Sequence, residues 1–267
     1  MTFSSLSILT LAGMKRKSVR LEFSDQESHS RLGLVYLMNW QALGTTFELA
    51  SLTALILAII SLPLSYWIAF SKWRWKFVVE AVVALPLVLP PTVLGFYVLI
   101  AMGPHSPLGR WYETLAGHPL PFTFQGLVVA SVLYSLPFAV QPIAAAFGSV
   151  DRKYIEASWM LGASNLETFL RVIIPQSWAG VLTGLILSFA HTLGEFGVVL
   201  MVGGNIPGVT RTLSIDIYDQ VQALNYSAAA VTSAVLLLIS FLILSIVYGL
   251  NRKAWFFAAD RRHRQAV

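Results

Sequence analysis

The sequence predicts an all-α, polytopic membrane protein, and three of its features carry that prediction. Hydrophobic residues fill 56% of its 267 positions and charged residues only 12%, with a mean hydropathy of +0.69, far too apolar for an ordinary soluble domain. The apolar residues collect in long, nearly uncharged blocks, five of which stand out. Lys and Arg gather in alternate connections between those blocks, the pattern that bilayer insertion imposes.

The blocks cover residues 47–70, 77–102, 124–147, 175–202 and 228–250. At about 1.5 Å per helical residue, each crosses the ~30 Å hydrocarbon layer with length left over for tilt or a break. A membrane β-barrel would alternate in polarity over short segments, and no such alternation persists here.

Charge sets the orientation. Lys72, Arg74 and Lys76 follow the first block, Arg152, Lys153 and Arg171 the third, and Arg252, Lys253, Arg261, Arg262 and Arg264 the fifth. These connections, including the basic tail 251–267, are expected in the cytoplasm. The loops 103–123 and 203–227 carry only Arg110 and Arg211 and are expected outside. Topology therefore accounts for the net charge of +5, and a nucleic-acid partner is not expected. With no cysteine, disulfide frameworks, thiol catalysis and cysteine-bound metals are excluded.

Residues 1–38 break the charge pattern, because Lys15, Arg16, Lys17, Arg20 and Arg31 would sit outside in a five-span layout. The apolar run 3–13 is too short for a span and precedes its basic cluster, the reverse of a signal peptide. Two explanations stand: a weakly ordered or partly interfacial extension, or a coding start placed too early, with Met38 as the true first residue. The second is preferred. The span-containing domain is then 39–250. No loop is long enough to hold a soluble catalytic or nucleotide-binding domain.

The connection 148–174 is the most specific stretch. Asp151 can cap a first helix, Gly162 supplies the permissive backbone of a turn, and Ser164 with Glu167 has capping-box spacing for a second helix. Pro175 is expected at the boundary with the fourth span. An ordinary capped surface helix is the alternative reading of this pattern. The stretch also resembles the EAA motif of ABC importer permeases, in which Glu-Ala-Ala is followed after three residues by Gly, and after nine more by Ile-x-Leu-Pro. Glu156, Ala157, Gly162 and Pro175 match in register, and Ser158, Val172 and Ile174 replace Ala, Ile and Leu.

That resemblance implies the type I ABC importer transmembrane domain, with about five spanning helices plus a cytoplasmic coupling helix. The chain would sit in the bacterial cytoplasmic (inner) membrane with its C-terminus cytoplasmic. Residues 151–170 would dock into a groove on a separate ATP-hydrolysing subunit, with Glu156, Ala157, Ser158, Gly162 and Pro175 as the coupling residues. No cofactor is expected on this chain, ATP and Mg belonging to the partner ATPase.

Two further stretches narrow the resemblance. Residues 85–97 place Pro86, Pro90, Pro91 and Gly95 inside the second block, where three prolines remove three backbone donors and break a helix at membrane depth. Freed carbonyls there face protein or a water-filled path, so this is either a pathway wall or a kink that fits neighbouring helices. Residues 193–213 contain Glu195 and, further on, Thr210, Arg211 and Thr212. Both stretches look like the molybdate permeases of the family, and the resemblance covers about residues 39–250.

Glu195 is the one acid well inside a block, so it is expected to face the bundle rather than lipid, beside a bend near Gly194 and Gly197. A carboxylate repels an oxyanion, which favours a gate, a bend or an interchain hydrogen bond over substrate ligation; plain structural service stays open. His191 stands four residues before it, but no third metal ligand and no hydrolase motif accompany the pair. An intramembrane hydrolase is a distant rival, a purely structural anchor another. Leu213, Ile217, Val221 and Leu224 recur at helical spacing with Asp216, Asp219 and Gln220 on the polar side, predicting a short amphipathic helix. It is an interfacial packing helix or, as the resemblance implies, it lines the pathway mouth or meets the docked substrate-binding protein, with Thr210, Arg211 and Thr212 as candidate anion contacts.

Five helices hardly enclose a path for a hydrated anion, so a second copy is expected around a two-fold axis. The resemblance adds two ATP-binding cassette subunits and an extracytoplasmic molybdate-binding protein, with molybdate import by alternating access. Tungstate or sulfate and thiosulfate on the same architecture are the alternatives, since selectivity in such systems lies mainly in the binding protein.

Overall fold

The computed structural model describes residues 38–264, and side-chain surroundings as far as Gly249; the basic run 15–31 lies outside the described residues. No strand occurs among them. The helices are α1 (Trp40–Phe70), α2 (Lys76–Val88), α3 (Pro91–Met102), α4 (Pro107–Ala116), α5 (Phe124–Gly148), α6 (Arg152–Met160), α7 (Asn165–Thr168), α8 (Ile174–Gly194), α9 (Gly197–Gly203), α10 (Leu213–Gln222) and α11 (Tyr226–Arg264).

The centre is a bundle of α1, α5 and α8. In α1, Thr46, Ala50, Thr53, Leu57, Ser61 and Ser65 recur every three or four residues and are all buried. Small side chains let backbones approach where lipid offers no hydrophobic drive between helices. Ser65 Oγ donates to the Val140 carbonyl of α5 at 3.0 Å, a bond across that contact. On α8, a β-carbon at Gly184 would stand 2.7 Å from the Ala139 carbonyl, so α5 and α8 touch at backbone distance.

The second apolar block is not one kinked span. It forms α2 and α3, bent by 115° at Leu89 and Pro90. Proline supplies the reason: residues 90 and 91 lack the N–H groups that would bond the carbonyls of Pro86 and Leu87, and Pro91 is preorganised to start a new helix. Val83 of α2 packs with Ile68 and Val140, near the ends of α1 and α5, whereas Val98 and Met102 of α3 pack with Leu120, Ala130, Val198 and Val202 toward the start of α5. The bent pair therefore carries the chain from one end of the bundle to the other. Helices α1, α5, the continuous 165–194 segment and α11 are each long and apolar enough to cross a membrane, and the bent pair, taken as one broken span, makes a fifth.

The fourth block is also interrupted. Helix α8 stops at Gly194, Glu195 is extended (ψ 135°), and α9 restarts at Gly197. Pro175, expected at a boundary, instead lies in the first turn of α8, and the helix runs on through it. A π-helical turn, Phe169–Ile173, absorbs the missing donor: the Ile174 amide reaches back to the Phe169 carbonyl.

Helix α10 corrects an expected face. Asp216, placed on the polar side by the spacing, is buried beside Leu213 and Ile215, whereas Val221 is exposed and Leu224 lies beyond the helix end with φ +59°. Asn39, the N-cap of α1, donates to Asp216 Oδ1 at 2.8 Å and draws that face inward. Helix α4 was not expected at all. Its signals were Ser106 and Pro107 at the start and Gly117 at the end, where φ is +75°.

Candidate functional site

The first candidate region is the helical hairpin at the end of the bundle where α1 and α5 finish. Asp151 caps α6 by accepting from the Lys153 amide. Gly162 turns the chain with φ +83°, in the left-handed region that side chains resist. Ser164 and Glu167 form the capping box expected from their spacing: Oγ accepts the Glu167 amide at 3.2 Å, and the carboxylate accepts the Ser164 amide at 2.9 Å.

One side of this hairpin is anchored. Ile155 is buried with Ile143, Phe147, Val150, Ile173 and Val181. Ser158 Oγ donates to the Ile155 carbonyl at 2.7 Å and meets Thr168 Oγ1 at 2.8 Å, tying the two arms together. Phe169, in the π-turn, stands edge-on to Tyr66 of α1 and Phe147 of α5 at 5.0 and 5.7 Å between ring centres. The anchored side of the hairpin thereby contacts α1, α5 and α8.

The other side is bare. Glu156, Ala157 and Gly162 are exposed, Met160 and Leu161 are 89% and 88% exposed, and Tyr154, Trp159 and Leu166 also face outward. The motif pointed to Glu156, Ala157, Ser158 and Gly162 but not to these apolar neighbours. Their sequence signal is a set of aromatic and aliphatic residues flanking the Gly162 turn in an otherwise polar connection.

The second region joins the two broken helices. A β-carbon on Gly197 would stand 2.6 Å from the Pro91 side chain, and one on Gly95 would stand 2.8 Å from the Met201 Cβ and 3.2 Å from the Val198 Cα. Pro91 and Gly95 of α3 are thus fitted against α9, immediately after Glu195. Glu195 is 4% exposed, beside Ser131 of α5, and neither carboxylate oxygen meets hydrogen-bond geometry with a partner among the described residues. Pro86 is buried in α2, and Pro90 is the N-cap of α3.

His191 does not join Glu195, because the helix ends between them. Its Nδ1 pairs with Ser135 Oγ at 2.9 Å, and its ring stacks on Phe138 at 3.9 Å. Ser135 Oγ also meets Thr192 Oγ1 at 2.9 Å, and Thr192 donates to the Ser188 carbonyl. Among the described residues, no three His, Cys, Asp or Glu side chains gather as metal ligands.

Thr210, Arg211 and Thr212 close the turn before α10. Thr210 Oγ1 donates to the Gly203 carbonyl at 2.7 Å and accepts the Ile206 amide at 3.1 Å, so both its roles are taken in this conformation. Arg211 Nε donates to Asn205 Oδ1 at 2.6 Å, and its guanidinium lies 3.4 Å from the Asp219 carboxylate. Thr212 is buried at the N-cap of α10 with its hydroxyl unpartnered.

Four long apolar helices and a bent apolar pair, two of these segments broken, with a bare helical hairpin at one end, define a polytopic α-helical membrane domain. The chain belongs to the family of binding-protein-dependent transport system inner membrane components, whose model matches residues 61–255. It is 50% identical over 211 residues to the molybdenum transport system permease protein ModB of Azotobacter vinelandii, covering 79% of this chain and 93% of that one. A probable sulfate transport system permease protein, cysT of Prototheca wickerhamii, is 32% identical over 206 residues, 77% of this chain and 80% of that one. Among solved structures, a bacterial ABC transporter involved in import of the acidic polysaccharide alginate has the same fold, with a TM-score of 0.65 at 16% identity, covering 92% of this chain and 95% of that one.

Proposed function

We propose that this chain is the permease subunit of an ATP-driven molybdate importer working by alternating access. The observation that carries the substrate is the 50% identity to a molybdenum permease over 79% of the chain, against 32% to the sulfate relative. The geometry adds what such a subunit requires. Residues 151–170 form a lever whose bare side offers apolar contact to a partner and whose anchored side reaches α1, α5 and α8 through Ile155 and Phe169.

In this reading two copies pair around a two-fold axis, and two ATP-binding cassette subunits seat the hairpins of Glu156, Ala157, Ser158 and Gly162. ATP and Mg stay on those subunits, and this chain performs no hydrolysis. The hairpin and C-terminus face the cytoplasm of a bacterial cell, and an extracytoplasmic binding protein delivers the anion to the opposite face. Closure and opening of the ATPase pair then tilts the bundle between two packed states. Between them, the α3–α9 contact beside Glu195 is the candidate gate.

The test is uptake by vesicles containing this chain, its ATPase and its binding protein, offered molybdate, tungstate or sulfate. ATP-dependent accumulation of molybdate in preference to sulfate is the expected result. Sulfate preference overturns the substrate, and equal uptake of tungstate widens it to both group 6 oxyanions.

A further inference from the structure

Helix α4 has two apolar sides, and the bundle uses only one. Gly109 is buried so tightly that a β-carbon there would collide with the carbonyls of Gly103 and Met102, and Tyr112 packs on the Val98 and Met102 cluster. Around the helix from these, Leu108, Trp111 and Leu115 are 49%, 62% and 70% exposed. At 3.6 residues per turn these three fall within an arc of about 60°. Arg110, Glu113 and Thr114 are exposed as well and occupy the remaining arc.

Position decides what covers the stripe. Helix α4 sits between α3 and α5, both parts of membrane-crossing segments, and Gly109 and Tyr112 rest directly on the end of α3, which keeps the helix at the bilayer boundary. Helix α3, which leads into it and belongs to an apolar membrane segment, also leaves Phe96, Tyr97 and Ile100 exposed, so the stripe follows a second apolar surface that the bundle does not cover. A tryptophan between two leucines, with an arginine on the polar arc able to reach phosphate, is the composition of a helix lying in the interface plane.

We infer that α4 is an interfacial anchor: Leu108, Trp111 and Leu115 enter the headgroup and acyl boundary of the bilayer and hold the outer end of the broken helix α3 at a set depth. The inference depends on the orientation proposed above only for which leaflet is involved, and its test requires no transport.

Because the chain contains no cysteine, single-cysteine variants accept a label at one place. Leu108→Cys, Leu115→Cys and Glu113→Cys of the full chain, each carrying an environment-sensitive fluorophore, would be placed in phosphatidylethanolamine and phosphatidylglycerol vesicles. Quenching by doxyl-labelled lipid is expected to be about threefold stronger at positions 108 and 115 than at 113, with aqueous iodide showing the reverse order. Iodide quenching at 115 equal to that at 113 overturns the inference. Protection from both quenchers also overturns it and assigns the stripe to protein; loss of that protection at one chain per vesicle identifies a second copy as the cover.

Discussion

Gly197 lies against Pro91, with only 2.6 Å between the place of a missing β-carbon and the proline ring. This contact seats the restart of one broken helix on the restart of another, next to the buried Glu195. Gly197→Val and Gly95→Leu are expected to overpack it, at a cost of about 1–3 kcal/mol each, and to lower the thermal midpoint of the detergent-purified chain. Gly44→Ala is the control, since nothing stands within 4 Å of its added carbon and alanine favours the helix. A control that destabilises as much as Gly197→Val would defeat the argument.

Gly162 is open on its free side but has φ +83°, so substitution strains the backbone without a clash inside the chain. Gly162→Val is expected to cost about 1–2 kcal/mol locally and to lower uptake per ATP hydrolysed while leaving the amount of membrane-inserted chain unchanged. Gly162→Asn tolerates the left-handed region better and should retain more coupling. Equal coupling in the valine variant and the parent would show that the turn geometry does not transmit motion.

Glu195 is buried without a hydrogen-bond partner among the described residues. Glutamine keeps the shape of the buried carboxyl and cannot ionise at membrane depth, where a charge costs a few kcal/mol, so Glu195→Gln should unfold at the parent temperature or above it, whereas Glu195→Lys should fail to accumulate. If Glu195→Gln keeps its stability and loses transport, the carboxyl serves the gate; if it loses stability, the carboxyl has a structural partner in the assembled transporter.

Asn39 both caps α1 and donates to buried Asp216. Asn39→Ala removes a cap and leaves that acid unpaired, for a combined loss of about 2–4 kcal/mol. Thermal unfolding of Asn39→Ala, Asp216→Asn and the double variant would check it. Additive effects would mean the two residues do not interact.

Much of this architecture was legible in one dimension because bilayer physics writes it there. A crossing helix needs about twenty apolar residues whatever its neighbours are, and the caps at Asp151 and Ser164 are local hydrogen bonds between residues two or three apart. The hairpin was readable for the same reason. By contrast, spacing ranks Asp216 of α10 as polar, whereas in the fold it is buried with one carboxylate oxygen held by Asn39, 177 residues away.

The prolines at 86, 90 and 91 announced a break but not its size, since a missing donor permits many angles and the 115° bend is chosen by what α3 packs against. Pro175 shows the same division, as loss of one N–H could have ended the helix but was absorbed by a π-turn while Phe169 gripped Tyr66 and Phe147. Crossings, caps and motif can be read along the chain because each depends on solvent or on near neighbours. Tertiary structure alone decided which broken helices meet, which acids are buried and which side of the hairpin is left bare, because those outcomes depend on contacts between residues far apart in the chain.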